Sequence, residues 1–211
     1  MIRYFVGVPG SGKTTLACKL MKDCVKPKFF KKFSKMPYDY IFSNFDNDLS
    51  NQFDVNSLAN QKPPRYSYLC IDESGLEFNS RKFKSLPPGV IEFFKKHRHE
   101  HCDVDFFSQT WDDTDKQLRD LAQEIWLIRK IGPLTVARCV YKRIGINKDT
   151  HQLEFQHFWR SVLWQLFPFM PKQFCFCWRP LYYRYFNSFE PIERPVFQGD
   201  FKTCMGSLNI K

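Results

Sequence analysis

The sequence GVPGSGKT at residues 7–14 follows a short apolar stretch, Ile2–Val6, and matches the pattern G-x-x-x-x-G-K-[ST] in full. In that pattern the glycines let backbone N–H groups turn toward a polyphosphate, the lysine reaches the outer phosphates, and the hydroxyl residue can ligate Mg²⁺. A helix that begins near Lys13 would add the partial positive charge of its N-terminus. The residues predicted to bind the nucleotide are Gly7, Val8, Pro9, Gly10, Ser11, Gly12, Lys13, Thr14 and Thr15.

The chain after this loop alternates between strand and helix patterns. Apolar stretches predict strands at residues 2–6, 40–43, 66–71, 104–107 and 125–128, and Thr114-x-x-Gln117 resembles a capping box at the start of a helix. Residues 44–65 are predicted to be mostly loop with at most one short helix, and Leu134–Ile144 to add an edge strand or a hairpin. Alternating strands and helices imply a parallel sheet covered on both faces, so we expect an α/β fold of the P-loop NTPase type with a mostly parallel sheet.

Polar side chains follow two of the predicted strands at the point where each strand ends. Asp72 and Glu73 come directly after 66–71, and Gln109 follows the next strand along the chain. Ligands of parallel sheets bind at this edge. We predict that Asp72 and Thr14 hold Mg²⁺, that Glu73 polarises an attacking water, and that Gln109 hydrogen-bonds the terminal phosphate or that water. The alternative is that the acids cap a strand and Gln109 faces solvent.

Other charged residues are weaker candidates for catalysis or metal binding. Arg81, Arg98 and Arg119 are candidates for an arginine supplied to a neighbouring subunit, with Arg119 favoured, although each alone is an ordinary surface arginine in the alternative interpretation. The run HRHEHC at residues 97–102 has no second Cys/His pair at a zinc-binding spacing. We therefore interpret it as a polar cluster at the end of a helix.

Composition restricts the environment and the partners. The chain has 211 residues, a net charge of +10, and 23 phenylalanines. This charge favours an anionic partner, either nucleic acid or a phospholipid surface. Its eight cysteines include no C-x-x-C pair, and the first strand begins almost at Met1 without a signal sequence, which favours a reducing cytosol. We find no apolar run of about 18 residues that would span a membrane.

The character of the sequence changes near residue 150, and we predict an ATPase domain at 1–148 followed by an aromatic, basic appendage at 149–211. Phe155–Phe189 is crowded with aromatic residues and carries arginines, which suits a membrane interface. The alternative is a cap packed on the sheet. The basic stretch Lys26–Lys35, with interleaved phenylalanines, is a further candidate for contacting nucleic acid, against the alternative of a solvated face.

Several segments together resemble the zonula occludens toxin (Zot) family, whose members are assembly ATPases of filamentous phages. They are GVPGSGKT, LCIDESG at 69–75, Arg81, KKHRHEHCDVDFFSQT at 95–110 and QLRDLAQEIW at 117–126, so the resemblance covers roughly residues 1–145. It implies a fold similar to the FtsK/HerA-type motors, with ATP and Mg²⁺ as cofactors. It also implies that Lys13 and Thr14 bind nucleotide and Mg²⁺, that Asp72 and Glu73 serve metal and water, and that Gln109 senses the terminal phosphate.

The resemblance further implies a homo-oligomeric ring at the cytoplasmic face of the host bacterial inner membrane. There it would drive export of single-stranded phage DNA, with phage coat and membrane assembly proteins as partners. Family members usually continue into a transmembrane helix, so we expect this chain to use a separate membrane partner or peripheral contact with an anionic membrane. Two alternatives stay open: a DNA-packaging or translocating ATPase not devoted to filamentous export, and a nucleotide-gated membrane-docking module.

Overall fold

A mixed β-sheet forms the centre of the molecule in the computed structural model, which describes residues 1–25, 38–78, 87–112, 114–146, 153–158 and 174–186. Its strands in chain order are β1 Ile2–Val6, β2 Tyr40–Ser43, β3 Asn51–Gln52, β4 Ser67–Ile71, β5 Asp103–Ser108, β6 Glu124–Ile131, β7 Leu134–Ile146, β8 Leu153–Phe158 and β9 Phe174–Trp178. Their order in the sheet is β3-β2-β4-β5-β1-β6-β7-β8, and β9 also pairs with β7.

The first six strands are parallel, as the alternating sequence pattern predicts for five of them, whereas the short β3 lies in the segment 44–65 that was predicted to be mostly loop. β1 lies between β5 and β6 and pairs with both in parallel, and β4 joins β5 to β2 in the same way. Every residue of β4 and β5 is buried, which is typical of strands covered by helices on both faces. The predicted α/β fold with a mostly parallel sheet is thus confirmed, and the carboxyl ends of β1, β4 and β5 meet at one edge.

Within the part of the chain that the structure describes, four helices cover the two faces of the sheet: α1 Lys13–Cys24, α2 Ser74–Glu77, α3 Pro88–Lys96 and α4 Lys116–Leu121. Short 3₁₀ turns occur at Val55–Ala59, Arg179–Leu181 and Tyr183–Tyr185. One buried cluster joins α3 and α4 to the sheet through Val90, Phe94 and Leu118, and the other joins α1 and β9 to the opposite face.

The cap of α4 differs from the prediction. Asp115 is the N-cap residue, and its carboxylate accepts a hydrogen bond from the backbone N–H of Gln117 at 2.7 Å. Thr114 is fully buried, and its hydroxyl accepts a hydrogen bond from the Tyr4 hydroxyl. The predicted capping box at Thr114 is therefore wrong, because burial against β1 gives that hydroxyl another partner and the next residue caps the helix.

The chain continues the sheet beyond β6 with antiparallel strands. β6 and β7 form a hairpin, as one of the two sequence alternatives predicts, but β7 is not an edge strand. Its other side pairs with β9 along Leu134–Arg138 and with β8 along Tyr141–Ile146. The division after residue 148 stays a prediction, and the sheet itself runs past that point.

Part of the sequence interpretation lies outside the described residues. This applies to Lys26–Lys35, to Arg81, and to the segment Phe155–Phe189 apart from 155–158 and 174–186. In the described ranges, the structure contains no helix with the length and apolar character needed to cross a bilayer.

An ion pair between a partly exposed arginine and a fully buried carboxylate links the two central strands. Arg3 on β1 lies opposite Asp105 on β5, and its guanidinium donates through Nε at 2.6 Å and through a terminal nitrogen at 2.5 Å to the two carboxylate oxygens. The Tyr68 hydroxyl donates to the same carboxylate, which is fully buried. Burial raises the pKa of Asp105, and the Arg3 charge and the hydrogen bonds from Arg3 and Tyr68 oppose that rise.

Candidate nucleotide site

The loop between β1 and α1 turns through two glycines in the left-handed region. Gly10 has φ of 73° and Gly12 has φ of 88°, a conformation that costs other residues about 1–2 kcal/mol. Gly12 is also held by its neighbours, because a Cβ there would collide with Thr135 Oγ1 and lie 2.8 Å from Arg179 Cδ. Thr135 Oγ1 donates to the carbonyl oxygen of Ser11 at 3.0 Å. The predicted phosphate loop is therefore packed against β7 and against residues that follow β9.

The Lys13 side chain is largely buried and lies across this loop. Its Nζ donates to the carbonyl oxygens of Gly7 at 2.8 Å and Val8 at 3.2 Å. Burial lowers the pKa of Lys13, and the nearby carboxylates of Asp72 and Glu73 oppose that change. An ammonium group in this position can meet the phosphates of a ligand bound over the loop.

Thr14 and Asp72 meet at the start of α1. Thr14 Oγ1 donates to Asp72 Oδ2 at 2.6 Å, and the other carboxylate oxygen accepts from the backbone N–H of Glu73 at 2.9 Å. Burial raises the pKa of Asp72, while the hydrogen bond from Thr14 lowers it. A hydroxyl and a carboxylate side by side are hard oxygen ligands, and Mg²⁺ commonly uses one or two such groups together with substrate phosphates. These residues therefore fit the predicted magnesium site.

Asn44, which the sequence interpretation missed, fixes the position of Asp72. Its amide donates to the carbonyl oxygen of Asp72 at 2.8 Å, and its own oxygen accepts from the Asp72 backbone N–H at 2.8 Å. Asn44 directly follows β2, which is the neighbour of β4 in the sheet, so both strand ends lie at the same edge. The sequence could have indicated Asn44, because it is a polar residue that directly follows a further predicted strand.

Replacing Asn44 with alanine is expected to lower the free energy of unfolding by about 2 kcal/mol, since two buried hydrogen bonds are lost. It should also raise the Mg²⁺ concentration needed for half-maximal nucleotide binding, because Asp72 loses its tether. Asn47→Ala is the matched control: Asn47 is also buried and bonds to Ser43 and Ser50 nearby. The control should be destabilised without a change in Mg²⁺ dependence. If both variants need the same Mg²⁺ concentration for half-maximal nucleotide binding, Asn44 does not contribute to the metal site.

Glu73 and Gln109 are both exposed and line the same cavity of about 280 Å³ as Lys13, Thr14 and Asp72. Glu73 has φ of 49° and ψ of 42°, a left-handed backbone that is costly for a residue with a side chain. Strained residues of this kind cluster at functional sites. The structure therefore brings together the acidic pair, the glutamine and the loop.

The two described arginine candidates do not line this cavity. Arg98 is exposed in the turn between α3 and β5, at the amino end of β5 and so at the opposite edge of the sheet. Arg119 is mostly buried on α4, donates to Asp112 Oδ1 at 2.8 Å, and lies over the ring of Trp111. Their action across a subunit boundary stays a prediction, and neither belongs to the site within its own chain.

The histidine-rich run forms a folded turn. His97 is buried, and its Nδ1 lies 2.7 Å from the carbonyl oxygen of Phe94. His101 stacks on the ring of Tyr66. Among the described residues there is no group of three or more His, Cys, Asp or Glu side chains placed to hold a metal ion.

Three further residues of the cavity come from the C-terminal part of the chain: Arg179, Tyr183 and Phe186. The sequence interpretation included them in the aromatic segment but did not place them at the nucleotide site. Long-range pairing of β9 with β7 brings them there, and no local spacing indicates that pairing.

The sequence profile of the family described as Zonular occludens toxin (Zot) matches residues 1–132. The chain belongs to the Zot family. No curated protein sequence matches it. Among similar solved structures is the N-terminal domain of zonular occludens toxin from Neisseria meningitidis, with 18% identity, a TM-score of 0.48, and coverage of 76% of this chain and 94% of that one.

Two other similar structures come from a genome-packaging NTPase of Sulfolobus turreted icosahedral virus 2, in complex with ATP-gammaS and with AMPPCP. For each the identity is 12% and the TM-score 0.42, with coverage of 73% of this chain and 95% of the other. Membership of the Zot family agrees with the resemblance carried by the motifs, and the site described above lies within the matched residues except for its C-terminal wall.

Proposed function

We propose that this chain is an ATP-hydrolysing motor of filamentous-phage virion assembly, which drives export of single-stranded phage DNA at the cytoplasmic face of the host inner membrane. The observation that carries the proposal is the convergence of Lys13, Thr14, Asp72, Glu73 and Gln109 around one cavity in a chain of the Zot family. A phosphate loop alone is compatible with binding, whereas an exposed glutamate beside a buried aspartate is typical of hydrolysis.

Each of these side chains has a role in the proposed reaction. Lys13 neutralises charge on the outer phosphates, and Thr14 with Asp72 holds Mg²⁺, which when bound draws further charge from the phosphates. Glu73 accepts a proton from the attacking water, and its exposure lets that water reach it. Gln109 orients the water or the terminal phosphate by hydrogen bonding.

The proposed partners follow from charge and exposure. A net charge of +10 suits single-stranded DNA. The proposed motor is a homo-oligomeric ring in which Arg98 or Arg119 acts on the site of a neighbouring subunit. Phe176, Trp178 and Leu181 are each at least half exposed, which supports peripheral contact with an anionic membrane. Phage coat and membrane assembly proteins would complete the complex.

The proposal is tested by measuring ATP turnover of the purified protein alone, with single-stranded DNA, with double-stranded DNA, and with anionic liposomes. We expect Mg²⁺-dependent turnover that single-stranded DNA stimulates, and Lys13→Ala should lack both nucleotide binding and turnover. Stimulation by double-stranded DNA in place of single-stranded DNA would favour a packaging motor. A response to liposomes alone would favour a membrane-docking module, and a wild-type protein that binds ATP without turnover would contradict the motor.

A further inference from the structure

The segment 174–186 is anchored to the nucleotide-binding half of the chain at both ends. β9 pairs with β7, and the Cys177 thiol is buried against the carbonyl oxygen of Thr15 at 3.6 Å. At the other end, the Tyr185 hydroxyl accepts from Lys22 Nζ at 2.9 Å, and the Tyr185 carbonyl oxygen accepts from the backbone N–H of Asp48 at 3.1 Å. The segment therefore has a fixed position beside α1.

Arg179 holds the middle of this segment against the phosphate loop. Its guanidinium donates to the carbonyl oxygen of Gly132 at 2.6 Å, and its backbone N–H donates to that of Pro133 at 3.1 Å, both in the β6–β7 turn. Its Cδ lies 2.8 Å from the position that a Cβ at Gly12 would take. These contacts place Tyr183 and Phe186 on the wall of the cavity.

The two walls of the cavity differ in chemistry. Asp72, Glu73 and Gln109 follow β4 and β5, which lie on one side of β1 in the sheet, whereas Arg179 contacts the β6–β7 turn on the other side. The acidic wall, formed by Asp72, Glu73 and Gln109, suits a metal ion bound to the terminal phosphate and the attacking water. A nucleotide with its terminal phosphate at the acidic wall would extend its nucleoside toward the opposite wall, which Arg179, Tyr183 and Phe186 form and which we call the aromatic wall.

We propose that Tyr183 and Phe186 bind the nucleoside half of the nucleotide, with the base stacked on the Tyr183 ring, and that Arg179 positions this wall. The inference rests on the proposed nucleotide site and adds the part that recognises the base. Tyr183 is 51% exposed, so its ring offers a free face. Stacking of a base on an aromatic side chain contributes about 1–3 kcal/mol and accepts any base, because every base has a π-face.

The test compares the binding of ATP and of inorganic tripolyphosphate, both with Mg²⁺, by calorimetry on the full chain. Tyr183→Ala should weaken ATP binding roughly 5-fold to 150-fold and leave tripolyphosphate binding unchanged. Tyr183→Phe keeps the ring and should bind ATP like the wild type. Leu181→Ala is the matched control, because Leu181 is exposed on the same segment and does not line the cavity.

The outcomes separate this inference from the function on which it rests. Unchanged ATP binding in Tyr183→Ala, or equal weakening of ATP and tripolyphosphate, would overturn the role of the aromatic wall while leaving the phosphate site intact. A wild-type protein that binds neither ligand would overturn the proposed function itself. Lys13→Ala should lose both ligands, which shows that the tripolyphosphate signal reports the phosphate loop.

Discussion

Replacing Glu73 with glutamine is expected to reduce ATP turnover by ~100-fold or more while ATP binding persists. Removing a group that accepts a proton from the attacking water typically costs a factor of about 10² to 10⁴. The amide has nearly the same shape, and Lys13, Thr14 and Asp72 still contact the phosphates and the metal ion. Single-turnover hydrolysis, measured beside equilibrium binding of ATP, separates the chemical step from affinity.

Glu77→Gln supplies the matched control for this experiment. Glu77 lies at the end of the same short helix that Glu73 caps, and it does not line the cavity. The control removes one negative charge from the same part of the surface and should turn over ATP within about twofold of the wild type. Similar losses in the two variants would point to a general electrostatic effect, and wild-type turnover of Glu73→Gln would remove Glu73 from the mechanism.

Replacing Arg3 with leucine is expected to lower the free energy of unfolding by about 3–5 kcal/mol, because it leaves the buried carboxylate of Asp105 without its cation. The double variant Arg3→Leu/Asp105→Asn should recover most of this loss, since asparagine carries no charge and keeps an acceptor for Tyr68. Urea unfolding of the three proteins at pH 7 measures both effects. A single variant as stable as the wild type would show that the pair contributes little.

The loss in Arg3→Leu should also depend on pH. Asp105 already has a raised pKa in the folded protein, and losing Arg3 raises it further above the ordinary value of about 3.9. The folded state then holds a proton that the unfolded state releases, so stability falls as the pH rises from about 4 through the folded-state pKa. The deficit relative to the wild type should therefore shrink at acidic pH, whereas a constant deficit would mean that lost packing is the cause.

Local sequence patterns predicted the parts of the site that depend on the residues next to them. The phosphate loop and the Asp72–Glu73 pair each follow an apolar strand, and a parallel sheet brings the ends of such strands to one edge. The prediction of the α4 cap was wrong because Thr114 is buried against Tyr4, and the local sequence does not indicate this tertiary contact. The contribution of Tyr183 depends on β9 returning to β7 across the intervening chain, which no local periodicity encodes.

The return of β9 to β7 also affects the order in which the site is made. The phosphate loop at residues 7–14 is synthesised well before the cavity wall formed by Arg179, Tyr183 and Phe186. A growing chain on the ribosome therefore carries the loop without the opposing wall until the later segment has been made. Complete assembly of this cavity must therefore wait until residues 174–186 have left the ribosome, and the emergence of this segment is the step that permits it.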